Sequence, residues 1–270
     1  MEECLVLKNI FKQYEEASGQ TINYQKSSVA FSKNVERPKQ DVLAASLSVE
    51  RVDKHHKYLG LPIEISYSKS EAFEYLTERV RKRTRGWKEK TLSAAGKEIL
   101  IKAVVQSIPT YVMSCFELPQ HLCQEMHSLM AKFWWGDKSN ERKIHWLAWE
   151  KLCVPKAEGG LGFRNMGLFN QALLAKQGWR ILQNPNSLLA SLYKAKYFPG
   201  CSFLDAELVS GALYAWRSII HGRELLKKGL RFQVGTGSNI AVWSDPWLPL
   251  PFSFKPFTRP PDGLENLRVA

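Results

Sequence analysis

The chain has 270 residues, with 38 Lys and Arg against 26 Asp and Glu, a formal charge of +12. At 44% hydrophobic residues it is too apolar for a disordered chain, and no run nears the ~20 apolar residues of a membrane-spanning helix. The positive excess favours a polyanionic partner, nucleic acid before membrane.

The opening residues predict a helix: Val6, Leu7, Ile10, Phe11 and Tyr14 recur at three- and four-residue spacing, and Gly19 suits its end. The acidic start, without an apolar core, reads as no secretory signal. The compartment is left open between nucleus and mitochondrion. Around Lys26, "TINYQKSSVAFS" is rich in β-branched and aromatic residues and predicts short strands. Lys33 to Glu50 reads as a looser polar segment. Tyr58, Leu59, Leu61, Ile63 and Ile65 then predict strand around a bend at Gly60, with Pro62 confined to an edge.

From Ser68 the period becomes helical. Phe73, Leu76, Val80 and Trp87 form one stripe, with Arg81, Lys82, Arg85 and Lys88 mostly opposite. Ser93 is a plausible cap for a helix with Leu100, Ile101, Val104, Val105 and Ile108 on its apolar face, interrupted by Pro109. Leu122, Met126, Leu129, Met130 and Phe133 predict the next helix, and Leu100, Val104 and Met130 are expected where the helices meet. Further helices are predicted over 167–182, 187–197 and 211–227. The end, "LRFQVGTGSNIAVWSDPW", reads as strand, turn, strand, before a Pro-rich tail.

Few residues pair into recognisable chemistry. The five cysteines (Cys4, Cys115, Cys123, Cys153 and Cys201) include no CxxC and suit a reducing compartment. Cys123 and His127, four apart, have the spacing of metal ligands but no second pair, and are assigned to the core. His55, His56 and His145 receive no chemistry. The glycines of "EGGLGFRNMG" lack the spacing of a phosphate loop and predict a turn before a helix. Trp134, Trp135, Trp146 and Trp149 have rings suited to stacking on bases, but neighbouring apolar helical positions assign them to the core.

The stretch "TLSAAGKEILIKAVVQSIPTYVMSCFELPQHLCQEMHSLMAKFWWG" resembles the region after the palm in reverse transcriptases of plant non-LTR (LINE-type) retrotransposons. "SGQTINYQKS" is similar to the segment after their catalytic loop, and "YLGLPI" to the strand pair that grips the primer. "VPKAEGGLGFRNMGLFNQALLAKQGWRIL" resembles their downstream helical region, and "NIAVWSDPWLP" the start of their zinc-binding segment. The motifs occur in the family's order over most of the chain.

The resemblance implies an α+β fold, predominantly helical. It divides into a palm remnant (1–66), a thumb-like bundle (67–136), a helical connection (137–230) and the start of a truncated zinc-binding-type region (231–270). Nucleotide transfer needs two metal ions on paired aspartates. The family's pair is expected upstream of this sequence, whose Asp41, Asp53, Asp137, Asp205, Asp245 and Asp262 are scattered. No catalytic residue is assigned. No cofactor is expected in this chain, Mg²⁺ being implied only for the complete enzyme.

The expected function is that of a non-catalytic reverse-transcriptase fragment retaining nucleic-acid-binding parts. The alternatives are a stand-alone nucleic-acid-binding module and a remnant without a selected role. The expected partner is primer–template duplex or RNA, with no membrane; association with a separate polymerase fragment is left open. By resemblance Lys26 sits where a cation would offset charge on departing pyrophosphate, or is a plain surface lysine. Tyr58, Leu59 and Gly60 match the primer grip, or an ordinary edge hairpin. Arg79, Arg81, Lys82, Arg83, Arg85, Lys88 and Lys90 have the donors for phosphate contact, against the alternative of a solvated face.

Overall fold

The computed structural model describes residues 2–55, 57–63, 65, 68–88, 92–136, 143–250, 254–264 and 266–270, with backbone alone at 87 and 88. His56, Lys90, Asp137 and the side chains of Trp87 and Lys88, named above, lie outside the described residues. The fold is α+β and predominantly helical, in two compact units, Met1–Ile65 and Ser66–Ala270.

In the first unit, helix α1 (Glu2–Ser18) packs on α2 (Arg37–Leu47), burying Cys4 and Ala44. The periodic stripe of α1 is nonetheless open to solvent at Val6, Ile10 and Tyr14. Helix α2 replaces the loose segment expected between Lys33 and Glu50. Pro38 lies in its first turn, where no N–H is required, and left-handed Ser48 (φ 57°) ends it.

The expected strands around Lys26 also shrink. Asn23 accepts from the Lys26 N–H at 3.1 Å and caps a 3₁₀ turn, Tyr24–Lys26. What remains is β1 (Ser28–Val29), parallel to β2 (Glu50–Arg51). Strands β3 (Lys57–Tyr58) and β4 (Leu61–Pro62) form an antiparallel hairpin, with Tyr58 opposite Leu61.

In the second unit, α3 (Lys69–Lys88) lays Phe73, Leu76 and Val80 against α6 (Gln120–Trp135), which buries Leu122, Met126, Met130 and Phe133. Helix α4 (Ala94–Leu100) is capped by Ser93, whose Oγ accepts from Gly96 N–H at 3.2 Å. It runs into one π turn, Ile101–Val105, closed by the Gln106 N–H on the Ile101 carbonyl at 2.9 Å. Ile101 and Val105 are buried there, while Leu100 and Val104, expected inside, are half-buried. The wider turn resets the register of the apolar face.

A short α5 (Thr110–Met113) follows Pro109, and α7 (Trp149–Cys153) occupies a stretch with no helical period. Helices α8 (Met166–Gln183), α9 (Leu188–Tyr197) and α10 (Tyr214–Gly229) match the three expected in this half. Trp216 of α10 is fully buried, stacked on Tyr197 at 4.7 Å between ring centroids. Buried Asn170 of α8 donates to the carbonyls of Met113 and Phe116 and accepts from the Leu118 N–H at 2.7 Å.

The expected terminal hairpin is a different pairing. Ile240 to Val242 pair with the chain end: Val242 N–H donates to Leu267 and Val269 N–H to Ile240, each at 3.0 Å. Phe232 N–H still reaches Pro246 O at 2.7 Å. Pro246 offers no N–H to answer it, so a two-way ladder cannot grow from that contact.

Candidate nucleic-acid interface

Lys26, in the first unit, is exposed at the end of its 3₁₀ turn. Tyr58 and Leu59 stand at the tip of the β3–β4 hairpin, 70% and 74% exposed. Leu59 and Gly60 both have positive φ, 49° and 82°, as a two-residue hairpin turn of type I′ requires. A leucine rarely takes that conformation, and the turn holds it with its side chain in water. In the same unit Arg51 Nε meets Asp41 at 2.7 Å and its Nη1 meets Asp53 at 3.6 Å, so these two carboxylates share one guanidinium.

The second unit carries the basic run on α3. Burial of Phe73, Leu76, Thr77, Val80 and Thr84 turns Arg79, Lys82, Arg83 and Arg85 outward. Arg79, Lys82 and Arg83 are neighbours at three- and four-residue spacing, and Arg79 also lies 5.8 Å from the Tyr75 ring centre. Arg81 behaves differently from its neighbours. Its guanidinium is half-buried and bonded to Glu78 on the same helix and Glu125 on α6. The residue ties two helices together, with Nη1 and Nη2 each committed to a carboxylate.

The glycine turn after α7 is a packing device. A β-carbon on Gly160 would lie 1.9 Å from the Val154 carbonyl oxygen, so only glycine fits. The N–H groups of Leu161 and Gly162 donate inward to Leu152 and Val154, leaving them committed away from any phosphate. Cys123 and His127 both lie inside. His127 Nε2 accepts from the Met166 N–H at 2.8 Å, and Trp149 stacks on it. Burial, and then Glu117, push the Cys123 thiol up to about 11, as for a thiol packed in apolar surroundings.

The tryptophans separate into two groups. Trp149 is buried in parallel contact with Phe163, ring centres 5.0 Å apart, and Trp134 meets Phe163 edge-on. Trp135 stacks on His145. Trp146, assigned to the core from sequence, is 75% exposed, because it falls in the non-helical segment before α7.

The structure also gathers lysines that no run in the sequence announces. Lys97 Nζ donates to the Trp134 carbonyl at 3.1 Å, at the end of α6. A β-carbon on Gly136 would find Lys97 Nζ at 3.3 Å and Lys143 Nζ at 3.9 Å. Burial, and then the charge of Lys143, lower the Lys97 pKa. Alongside, Lys102 and Lys156 each place Nζ 2.7 Å from Glu98 Oε1, and Lys102 also donates to the Leu161 carbonyl at 2.6 Å. Those two hydrogen bonds hold the Glu98 carboxyl below its ordinary range. Four residues spread from 97 to 156 have no periodicity to expose them.

Fold and surface thus define a helix-dominated α+β protein with outward basic side chains on α3 and a group of lysines gathered near the α4–α6 junction. The chain belongs to the family of the "Uncharacterized mitochondrial protein AtMg00310" of Arabidopsis thaliana. The two are 50% identical over 150 residues, 54% of this chain and 97% of that protein. It is also 38% identical over 191 residues, 70% of its length, to the Arabidopsis thaliana "Putative ribonuclease H protein At1g65750". The chain spans 31% of that second, longer protein. No protein-family model matches the chain.

Proposed function

We propose that this chain is a non-catalytic piece of a retrotransposon RNA-directed DNA polymerase that binds nucleic-acid duplex through the outer face of α3. The observation that carries the reading is the sidedness of that helix: Phe73, Leu76 and Val80 are buried while Arg79, Lys82, Arg83 and Arg85 face solvent. Guanidinium and ammonium groups so presented suit phosphates, which position a duplex without reading its bases. The ordered motifs, and a relative whose name is that of a ribonuclease H, support a retroelement origin. The exposed Tyr58–Leu59 tip is assigned to primer contact, and Lys26 to a phosphate-facing position inherited from the complete enzyme.

Polymerisation requires two metal ions held by paired carboxylates. The sequence has no adjacent aspartates, and Asp41 and Asp53 are bound to Arg51. The chain is therefore assigned no catalytic residue and no metal of its own. With primer, template, nucleotides and Mg²⁺ it is expected to extend nothing above background.

The test is duplex binding against salt. Three phosphate contacts give a slope of log K on log salt near −3, at about −0.9 per phosphate. Replacing Arg79, Lys82 and Arg83 together by Gln is expected to flatten the slope by about one to three units, alike on unrelated sequences. Arg81→Gln is expected to change melting more than binding. A triple variant that binds as its parent does at every salt concentration overturns the assignment.

A further inference from the structure

We propose that the cavity between α8 and the end of α10 binds a free nucleoside monophosphate, its base against Trp179 and its phosphate on Arg231. The site is built from other elements than α3 and stands whether or not the duplex reading does.

The cavity has a volume of about 610 Å³, within the range of small-molecule sites. One wall is fixed by a close approach of the two helices. A β-carbon on Gly178 would stand 3.0 Å from Leu226 Cδ1, so α10 sits tightly on α8 one residue before Trp179. Trp179 and Phe254 both line the space. Among the described residues Trp179 stacks on no ring and its indole N–H finds no acceptor, and the residue is 44% exposed. Phe254 is held at φ 54°, rare for an aromatic residue, while its carbonyl accepts from the N–H groups of Trp247 and Leu248, both at 2.8 Å. Strain of that kind persists where neighbours over-determine it, and it clusters at ligand sites. A half-exposed indole beside a pinned phenyl residue is a ready surface for a flat ring system.

Charge selects among the ligands such a space could take. Arg231 lines the cavity, and no carboxylate does. Arg231 and Lys228 are exposed, and neither side chain has an ion pair or hydrogen bond among the described residues. Glu224, earlier on α10, is already engaged by Arg223 at 3.2 Å and Lys227 at 3.9 Å. The C-terminus of α10 contributes only about half a negative charge, less than the two cations. An anion is therefore favoured, and the forked donors of a guanidinium suit phosphate. Gly229 also lines the space, and its carbonyl accepts no hydrogen bond among the described residues, which gives a base with an amino group an acceptor. A fatty acid would use the cation but neither the indole face nor the carbonyl. A nucleic-acid strand needs a row of cations along a groove, whereas Arg231 and Lys228 supply charge for one phosphate. A single adenine nucleotide uses ring, acceptor and cation together.

The experiment titrates the full chain with adenosine monophosphate and with adenosine, followed by ligand-observed NMR, with a melting curve for every variant. The monophosphate is expected to bind. Trp179→Ala should weaken both ligands about five- to a hundredfold, as loss of a base–aromatic stack does, and Trp179→Phe should restore most of that. Arg231→Gln is expected to weaken the monophosphate about tenfold and to leave adenosine unchanged, a split that loss of folding would not give.

Absence of binding at about millimolar monophosphate overturns the proposal, as does binding unchanged by Trp179→Ala. Equal competition by octyl phosphate marks a cavity for apolar anions, and by ribose 5-phosphate a bare phosphate site; either overturns it. Displacement by oligo(dA) at a lower nucleotide concentration than by the monophosphate itself reassigns the cavity to a strand and also overturns it. Duplex binding is measured on the same proteins. A parent chain that binds the monophosphate but not duplex removes only the α3 reading, and the reverse result removes only this one.

Discussion

Gly222 of α10 lies so close to Leu174 of α8 that a β-carbon at 222 would stand 2.4 Å from the Leu174 carbonyl carbon. The two longest helices of the downstream half therefore meet backbone to backbone at this point. Gly222→Ala is expected to cost about 1–3 kcal/mol in denaturant unfolding, since neither main chain can yield cheaply. Gly229→Ala, with open space around it, serves as the control and should leave stability nearly unchanged. Equal stability of both variants would mean the helices are not in this contact.

The π turn predicts a reversal of ranking between adjacent residues. Ile101 is fully buried and Leu100 only half-buried. Ile101→Ala should cost about 2–5 kcal/mol, and Leu100→Ala distinctly less. Chemical denaturation of the two variants decides it, and a larger loss at Leu100 would restore the regular helix read from the sequence.

Gln106, just after that turn, is 1% exposed, and its Nε2 has no hydrogen-bond partner among the described residues. A buried donor without an acceptor costs about 1–3 kcal/mol. Gln106→Met keeps the length of the side chain and removes the donor, and is expected to raise stability by about 1 kcal/mol. A destabilised Gln106→Met protein would point to an acceptor for that amide.

His127 predicts acid sensitivity. Burial lowers its pKa, with Glu150 acting weakly the other way, and its Nε2 must stay unprotonated to accept from Met166. The unfolded chain then binds the proton more readily than the folded one. The contribution of this site is complete above the unfolded value near 6.5 and is lost as pH falls through that value toward the lower folded one. Thermal melting from pH 8 to pH 5 should show the loss, and His127→Gln should flatten that part of the profile. An unchanged profile in the variant would show that other groups set the acid limit.

Much of the helical order is legible in local pattern. Leu122, Met126, Met130 and Phe133 repeat at helical spacing and are buried, and Ser93 and Ser187 cap the helices they precede. Helix α2 escaped because its apolar side chains make only a small buried surface, with only Ala44 fully inside. Helix α7 is five residues long, less than two turns, too short for a period to register. The candidate site divides the same way. The α3 charges form a continuous run, whereas Lys97, Lys102, Lys143 and Lys156 share no run and no spacing.

By itself, the sequence determined the chain's charge, its lack of adjacent aspartates, the helical class and the stripe that turns α3 inward. These depend on residue identity and on contacts within a few turns, where spacing alone selects the face. Tertiary structure decided where charges are held: Arg81 is drawn from the basic run by Glu125, forty-four residues away, while Lys97 and Lys143 are brought together at the end of α6. It also decided which tryptophan is left in water, since Trp149 finds Phe163 and Trp146 finds no such cover. Pairings of this kind depend on distances in space between residues far apart in the chain, and local periodicity carries no record of them.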